Sequence, residues 1–402
     1  MDKISLVKLL YSDYNNKKKQ YVVENPDEYI NQILSNNLSM IQYGFTEKVD
    51  FSLFLSTHRS SFSELFTYPS LSDEIIKKEL TRMNRIICAK TNVLWRQAHN
   101  NIKECCYQSC NKKSIASHIL QKNGILSRIA ENNHLYTMET DFLYSQLASF
   151  KKIGINDIFT FRGFCKSHDE SIFFPIEKKE SVDFDDYTNQ LLFAYRTMMS
   201  EKRKKEVMIE FHNLQIKSEP LLQYSSELHY SIEGHNQGIL DCEFYEKLFL
   251  QDIEHKSCNF TFHVAYTSFQ EVCISSIFSY ETTQEIENYF SKNKKNKDRL
   301  AEIFISYFPI KNDCNVLMMG YLNEYKPLCG SWVNDIYSSN ESVLLKRISD
   351  IMLRLSEQWV CSEFFYENNI KNREKQILNI INETGRLLDE RTPVDFNVFL
   401  ID

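Results

Sequence analysis

Two short pairs of cysteine and histidine side chains are the part of this sequence best suited to chemistry. Four residues separate Cys105 from Cys110, and two residues separate Cys165 from His168. A zinc ion needs four sulfur or nitrogen donors that converge as a tetrahedron, and protein chains often supply them as two close pairs joined by a longer insert. The spacing therefore predicts one structural Zn²⁺ site whose ligands are Cys105, Cys110, Cys165 and His168.

The first pair has a second solution, because Cys106 is also a suitable distance from Cys110. The adjacent thiols of Cys105 and Cys106 additionally allow a redox sensor, in which thiol oxidation replaces metal binding. A third interpretation is that these are unrelated buried thiols, as the scattered members of the eleven cysteines are expected to be. Gly163, just before the second pair, is expected to permit the bend that turns Cys165 inward.

A histidine in an apolar segment lies between the two pairs. His118 belongs to the sequence SIASHIL, and the second pair has the form Phe-Cys-x-x-His-Asp. The chain thus contains a first zinc pair, a histidine in an apolar segment and a second pair of this form. This order resembles the arrangement of HNH-type, treble-clef nucleases. In that family the strand histidine is the base that activates water, and a residue after the second pair helps to bind a divalent cation. The resemblance implies His118 as the base, Asp169 as a ligand of catalytic Mg²⁺ or Mn²⁺, and DNA or RNA as substrate.

The resemblance covers residues 105–169 and differs from the family pattern in several places. The insert between the two halves is longer, Asp169 stands where His or Asn is common, and ESIFFPIEKK carries no evident helix where the family has one. His118 also fits a core residue or a zinc ligand. His134 is a second candidate for a base or a metal ligand.

Two functional hypotheses follow from these residues. The first is a zinc-containing nuclease-like protein that hydrolyses phosphodiester bonds. The arrangement as a whole also resembles bacterial proteins found near anti-phage defence systems, which implies an antiviral effector. The second hypothesis is a non-catalytic, zinc-stabilised binding or assembly protein that contacts a protein partner through its C-terminal domain.

Helical periodicity dominates the elements that must position these residues. Ser72 begins a predicted helix that ends near residue 99, and 186–217 reads as a long helix. The basic run Lys202–Lys205 within it is expected to be a solvated face. Segments rich in aromatic and β-branched residues predict strands in 258–280, 302–309 and 315–322. Apolar stripes predict further helices from Leu344 and from Ile377, and the aromatic residues Trp359, Phe364, Phe365 and Tyr366 are expected to pack in the core.

These patterns predict an α+β protein that is mainly helical. We expect a mostly helical region over 1–100 and a small treble-clef-like zinc module over 101–180. We expect an α+β domain over 181–402, with an antiparallel sheet flanked by helices. A chain of 402 residues is long enough for two or three domains.

Composition narrows the functional classes. With 43% hydrophobic and 25% charged residues the chain is globular in character, and its 9 glycines and 7 prolines disfavour glycine-rich phosphate loops. A formal charge of −7 argues against a protein that coats nucleic acid by bulk electrostatics, although a local basic groove is compatible with it. Without a long apolar run or signal-peptide pattern, the expected location is the cytoplasm, with no membrane contact.

Overall fold

The computed structural model describes residues 89–139, 149–177, 182–218, 226–293, 299–311, 314–384 and 387–400. Predictions for residues before 89 lie outside this part of the chain, including most of the helix that begins at Ser72. Residues 89–101, at the end of that predicted helix, are helical.

Helices and strands are mixed along the described chain. In chain order they are α1 (89–101), β1 (Ala116–His118), β2 (His134–Glu139), β3 (Ser149–Gly154), β4 (Thr160–Arg162), α2 (Lys166–Glu177), α3 (Tyr187–Ser218), α4 (Ser226–His255), β5 (Phe260–Ser268), β6 (Val272–Ser279), α5 (Thr283–Asn293), β7 (Glu302–Lys311), β8 (Cys314–Leu322), α6 (Lys326–Tyr337), α7 (Glu341–Arg354), β9 (Trp359–Cys361) and α8 (Glu374–Thr384). The long helix predicted over 186–217 and the strands predicted over 302–309 and 315–322 are confirmed.

The chain forms two compact units. The smaller contains Glu206–Asn236 and the described part of Met1–Ile102. Its core joins α1 to the end of α3, where the rings of Trp95 and Phe211 lie 5.4 Å apart in an edge-on contact. The larger unit contains Lys103–Lys205 and Gln237–Asp402, and it holds every residue of the predicted site.

A seven-stranded sheet with the order β3-β2-β9-β6-β7-β8-β5 organises the larger unit, and all its pairings are antiparallel. Side chains alternate between its two faces, so that Phe304 and Phe308 pack with α3 and α4 while Ile303 and Ile305 pack with α6 and α7. Both faces are therefore covered, which explains why these strands are apolar almost throughout. The predicted α+β class with an antiparallel sheet is confirmed.

Two features of the sheet depend on long-range pairing. The segment 258–280 forms β5 and β6, as predicted, but the two strands are not neighbours, because β5 pairs with β8 and β6 lies between β7 and β9. Strands β2 and β3, which fall within 101–180, belong to the same sheet, where Thr137 pairs with Val360.

The prediction of a solvated face for Lys202–Lys205 is wrong at two positions. Lys202 is 8% exposed and Arg203 is 6% exposed. The Nζ atom of Lys202 lies 2.9 Å from a carboxylate oxygen of the buried Glu246, so its charge is compensated inside the protein. Among the C-terminal aromatic residues, Trp359 and Phe365 are in the core as predicted, whereas Phe364 is 62% exposed.

Candidate metal centre and adjoining cleft

The first cysteine pair lies in a tight turn. The backbone N–H of Cys105 donates to the carbonyl of Lys112 at 2.9 Å, and that of Cys110 donates to the carbonyl of Tyr107 at 3.1 Å. Ser109, directly before Cys110, has a φ of 62°, which lies in the left-handed region. The turn brings the two thiol sulfurs within 4.8 Å of each other.

The second pair is placed by the beginning of α2. Cys165 immediately precedes this helix and His168 lies in its first turn. The backbone N–H of Cys165 donates to the sulfur of Cys105 at 3.2 Å, which links the two pairs directly. The ring of Tyr107 packs on that of His168 with 4.1 Å between centroids and thereby restrains the imidazole.

Gly163 is required for space rather than for an unusual bend. None of the described glycines has a positive φ. A Cβ atom added at Gly163 would lie 2.2 Å from the ring of Phe161, which is closer than two carbon atoms can approach. The carbonyl of Gly163 accepts a hydrogen bond from the backbone N–H of Cys106 at 2.8 Å, so this segment packs directly against the first turn.

The four predicted ligands converge. The Nδ1 atom of His168 lies 3.4 Å from the sulfur of Cys105 and 3.5 Å from that of Cys165. The sulfurs of Cys110 and Cys165 are 3.9 Å apart. Zinc–sulfur and zinc–nitrogen bonds of ordinary length in a regular tetrahedron place sulfur about 3.8 Å from sulfur and about 3.6 Å from nitrogen. The cluster can therefore hold a metal ion with this donor set.

The electrostatics of the cluster also fit a cation. Burial raises the pKa of the Cys105 thiol to about 11. Burial also raises the pKa of Cys165, but hydrogen bonds from the backbone N–H of His168 and from neighbouring thiols lower it by more, so the net pKa is below the usual value. Three thiols at this distance cannot all ionise without a compensating positive charge, and a bound cation supplies that charge.

Cys106 does not share this centre. A guanidinium nitrogen of Arg203 lies 2.9 Å from the sulfur of Cys106 and also donates to the carbonyl of Glu104. Consecutive residues in a tight turn point in different directions, so Cys105 faces the cluster while Cys106 faces α3. Arg203 thus links the first turn to α3 by hydrogen bonds.

His118 lies at the end of a two-stranded ribbon formed by β1 and β4, where it pairs with Thr160. Its Nε2 atom lies 2.8 Å from the carbonyl oxygen of Ile155. Because a carbonyl can only accept, Nε2 carries the proton and Nδ1 is the nitrogen able to accept one. Burial lowers the pKa of His118 below its ordinary value, so the neutral imidazole predominates at neutral pH.

His118 and Asp169 border one cleft of about 1150 Å³. Asp169 belongs to α2, and the expectation that ESIFFPIEKK contains no helix is wrong. Pro175 lies near the end of α2, and the burial of Phe173 and Ile176 against the core stabilises a helix that the local sequence signals poorly.

A buried arginine forms part of the cleft wall. The side chain of Arg196 is 1% exposed, and its guanidinium group donates to Glu177 and lies 3.8 Å from an oxygen of Asp169. The ring of Phe173 packs against the guanidinium at 4.1 Å. Within the described structure, that Asp169 oxygen and the hydroxyl of Ser117 are buried without a hydrogen-bond partner.

His134, the other candidate base, lies elsewhere. It is exposed at the start of β2, and its Nδ1 donates to the carbonyl of Asn132 at 2.7 Å. It is not among the residues that line the cleft.

The sequence analysis did not single out Arg196, and it placed Arg203 on a solvated face. Arg203 carries no local signal, because its partners are about a hundred residues away. Arg196 does carry one, since it is a single charged residue within the apolar stretch LLFAYRTMM. A lone charge in such a stretch is expected to have a buried partner.

Comparisons with known proteins identified no relative of this chain. No family model, no curated protein and no solved structure matches this chain. In the part of the chain that the structure describes, no helix is both long enough and apolar enough to cross a membrane.

Proposed function

We propose that the cluster of Cys105, Cys110, Cys165 and His168 binds a structural Zn²⁺ ion. Three thiolate sulfurs and an imidazole nitrogen are the soft and borderline donors that favour zinc over magnesium or calcium. The near-tetrahedral distances support the same ion. Zinc would hold the first turn, the ribbon of β1 and β4, and the start of α2 in one arrangement.

We further propose that the adjoining cleft hydrolyses phosphodiester bonds of DNA or RNA. The observation that carries this proposal is the position of His118: a neutral imidazole with a fixed tautomer in a cleft that also contains the carboxylate of Asp169. Nδ1 of His118 can take a proton from water as the water attacks phosphorus, and a lowered pKa keeps it ready to do so near neutral pH. Asp169 would help to hold Mg²⁺ or Mn²⁺, which when bound neutralises charge that develops on the phosphate oxygens.

The order of the elements supports this reading. The cysteine turn is followed by β1, which ends in His118, and, after β2 and β3, by β4 and a helix that begins at the second ligand pair; α2 supplies the helix that the sequence did not reveal. A structural zinc next to the cleft would keep the groups at fixed positions, which a general base requires.

Cleavage of plasmid DNA and of RNA by the purified protein with Mg²⁺ or Mn²⁺ tests the proposal. His118→Ala is expected to lower the rate by roughly 100-fold or more, the usual contribution of a general base. His134→Ala is the matched control, because it removes a histidine outside the cleft. Wild-type protein that leaves every substrate intact, or equal rates for His118→Ala and wild type, would contradict nuclease activity.

A second candidate is a non-catalytic binding or assembly protein. The ion pairs of Arg196 with Asp169 and Glu177 favour it, because a cation already buried beside these carboxylates weakens their attraction for a metal ion. In that case His118→Ala has no effect on function in cells, whereas Cys165→Ser unfolds the region around the cluster by removing a ligand.

A further inference from the structure

The charges that line the cleft are mixed. The basic side chains are Lys122, Arg128 and Arg196, and the acidic ones are Asp169, Glu170, Glu177 and Asp183. The whole chain carries a formal charge of −7. Duplex DNA is bound mainly through many phosphate contacts made by lysine and arginine. A cleft with this balance cannot bind a duplex backbone by electrostatic attraction alone.

Exposed aromatic rings offer a different source of affinity. Phe174 of α2 is 60% exposed and Tyr266 of β5 is 49% exposed, and both border the cleft. They come from two separate elements, so the cleft has aromatic surface at more than one place. Phe184 also lines the cleft, and its ring packs on that of Phe308 with 5.7 Å between centroids. Aromatic rings of this kind bind the faces of unpaired bases, which a duplex keeps stacked inside.

The size of the cleft is compatible with a segment of a polymer as well as with a small molecule. Its volume of about 1150 Å³ exceeds the roughly 300–1,000 Å³ typical of small-molecule sites. The lining combines these two exposed rings with the polar side chains of His118, Lys122 and Arg128, which suits contact with a short run of nucleotides.

We propose that the cleft binds a nucleic acid strand with unpaired bases, whose bases stack on Phe174 and Tyr266. Its backbone lies toward Lys122 and Arg128. The inference rests on the proposed nuclease function and defines its substrate class as single strands, loops or frayed ends. The feature shared by all of these is an accessible base face.

Fluorescence anisotropy on the full chain tests this with His118→Ala protein, in which cleavage is suppressed. The probes are a labelled 12-nucleotide DNA, the RNA of the same sequence, and the corresponding DNA duplex. At least one single strand is expected to bind more tightly than the duplex. Phe174→Leu and Tyr266→Leu are each expected to weaken that binding roughly tenfold, as loss of one stacked base implies.

Two sets of controls separate stacking from folding. Phe174→Tyr and Tyr266→Phe keep the rings and are expected to bind as the parent does. Phe364→Leu removes an equally exposed ring that does not line the cleft and is expected to change nothing. Tighter binding of the duplex than of both single strands, or full single-strand affinity in both leucine variants, would overturn the inference.

Cleavage by the wild-type chain distinguishes this inference from the function on which it rests. If wild type cuts duplex DNA in a His118-dependent manner but leaves single strands intact, the nuclease proposal stands and the substrate class is wrong. If no substrate is cut, the nuclease proposal fails, even where ring-dependent binding of single strands shows that the cleft is a nucleic acid site.

Discussion

The adjacent residues Cys105 and Cys106 provide the most direct test of the metal centre. Their thiols differ by one position in the chain but face different surroundings. The sulfur of Cys105 lies 3.4 Å from Nδ1 of His168, whereas that of Cys106 lies 2.9 Å from a guanidinium nitrogen of Arg203. We therefore expect Cys105→Ser to impair zinc binding and Cys106→Ser to leave it nearly intact.

The size of the effect follows from the number of ligands. Structural zinc sites bind with roughly 10–16 kcal/mol of apparent free energy, so one of four ligands contributes roughly 2.5–4 kcal/mol. Loss of the Cys105 thiolate should then weaken zinc affinity roughly 100- to 1,000-fold. A serine hydroxyl does not restore it, because it remains protonated at neutral pH and is a poor ligand for zinc. Cys106→Ser keeps a hydrogen-bond acceptor for Arg203, and we expect less than a tenfold change.

The assay is elemental analysis of zinc per chain after dialysis against a graded series of a competing chelator. Wild type and Cys106→Ser should retain one zinc per chain at chelator concentrations that strip Cys105→Ser. Thermal unfolding of the same samples should show a lower transition temperature for Cys105→Ser alone. Equal zinc retention by Cys105→Ser and wild type, or equal loss in both variants, would refute the assignment of ligands.

Two further predictions concern the support of the site and the pH dependence of stability. Arg203→Met removes buried donors to Glu104 and Cys106. We expect a loss of roughly 2–4 kcal/mol in the free energy of unfolding, measured in urea. A loss below about 0.5 kcal/mol would contradict this role of Arg203. Desolvation, together with the nearby carboxylates of Glu201 and Asp241, raises the pKa of Glu302 to about 8 against the attraction of Lys205. Because this folded-state pKa lies above the ordinary value of 4.5, the contribution of Glu302 to stability should fall as pH rises from about 4.5 to about 8. Glu302→Gln should therefore be more stable than wild type at pH 9 and similar to it at pH 4, as measured by the midpoints of urea unfolding. A larger gain in stability at pH 4 than at pH 9 would contradict the predicted direction of the pH dependence.

The patterns that predicted elements correctly are local: each is carried by residues that are close together in the sequence. The strands β7 and β8 and the helix α3 could be predicted because their apolar periodicity is carried by consecutive residues. The candidate metal ligands could be named because each pair is close in sequence. By contrast, α2 was missed, since its stability comes from the burial of Phe173 and Ile176 and its own sequence contains Pro175.

The sequence by itself indicated the two pairs of candidate metal ligands and predicted an α+β protein with an antiparallel sheet. Only the tertiary structure decided that Cys105 rather than Cys106 faces the cluster and that His118 and Asp169 share a cleft. It also revealed that Arg196 and Arg203 lie buried beside these groups. The physical reason is that donor type and periodicity are local properties, whereas side-chain direction in a turn and compensation of a buried charge depend on partners from distant parts of the chain.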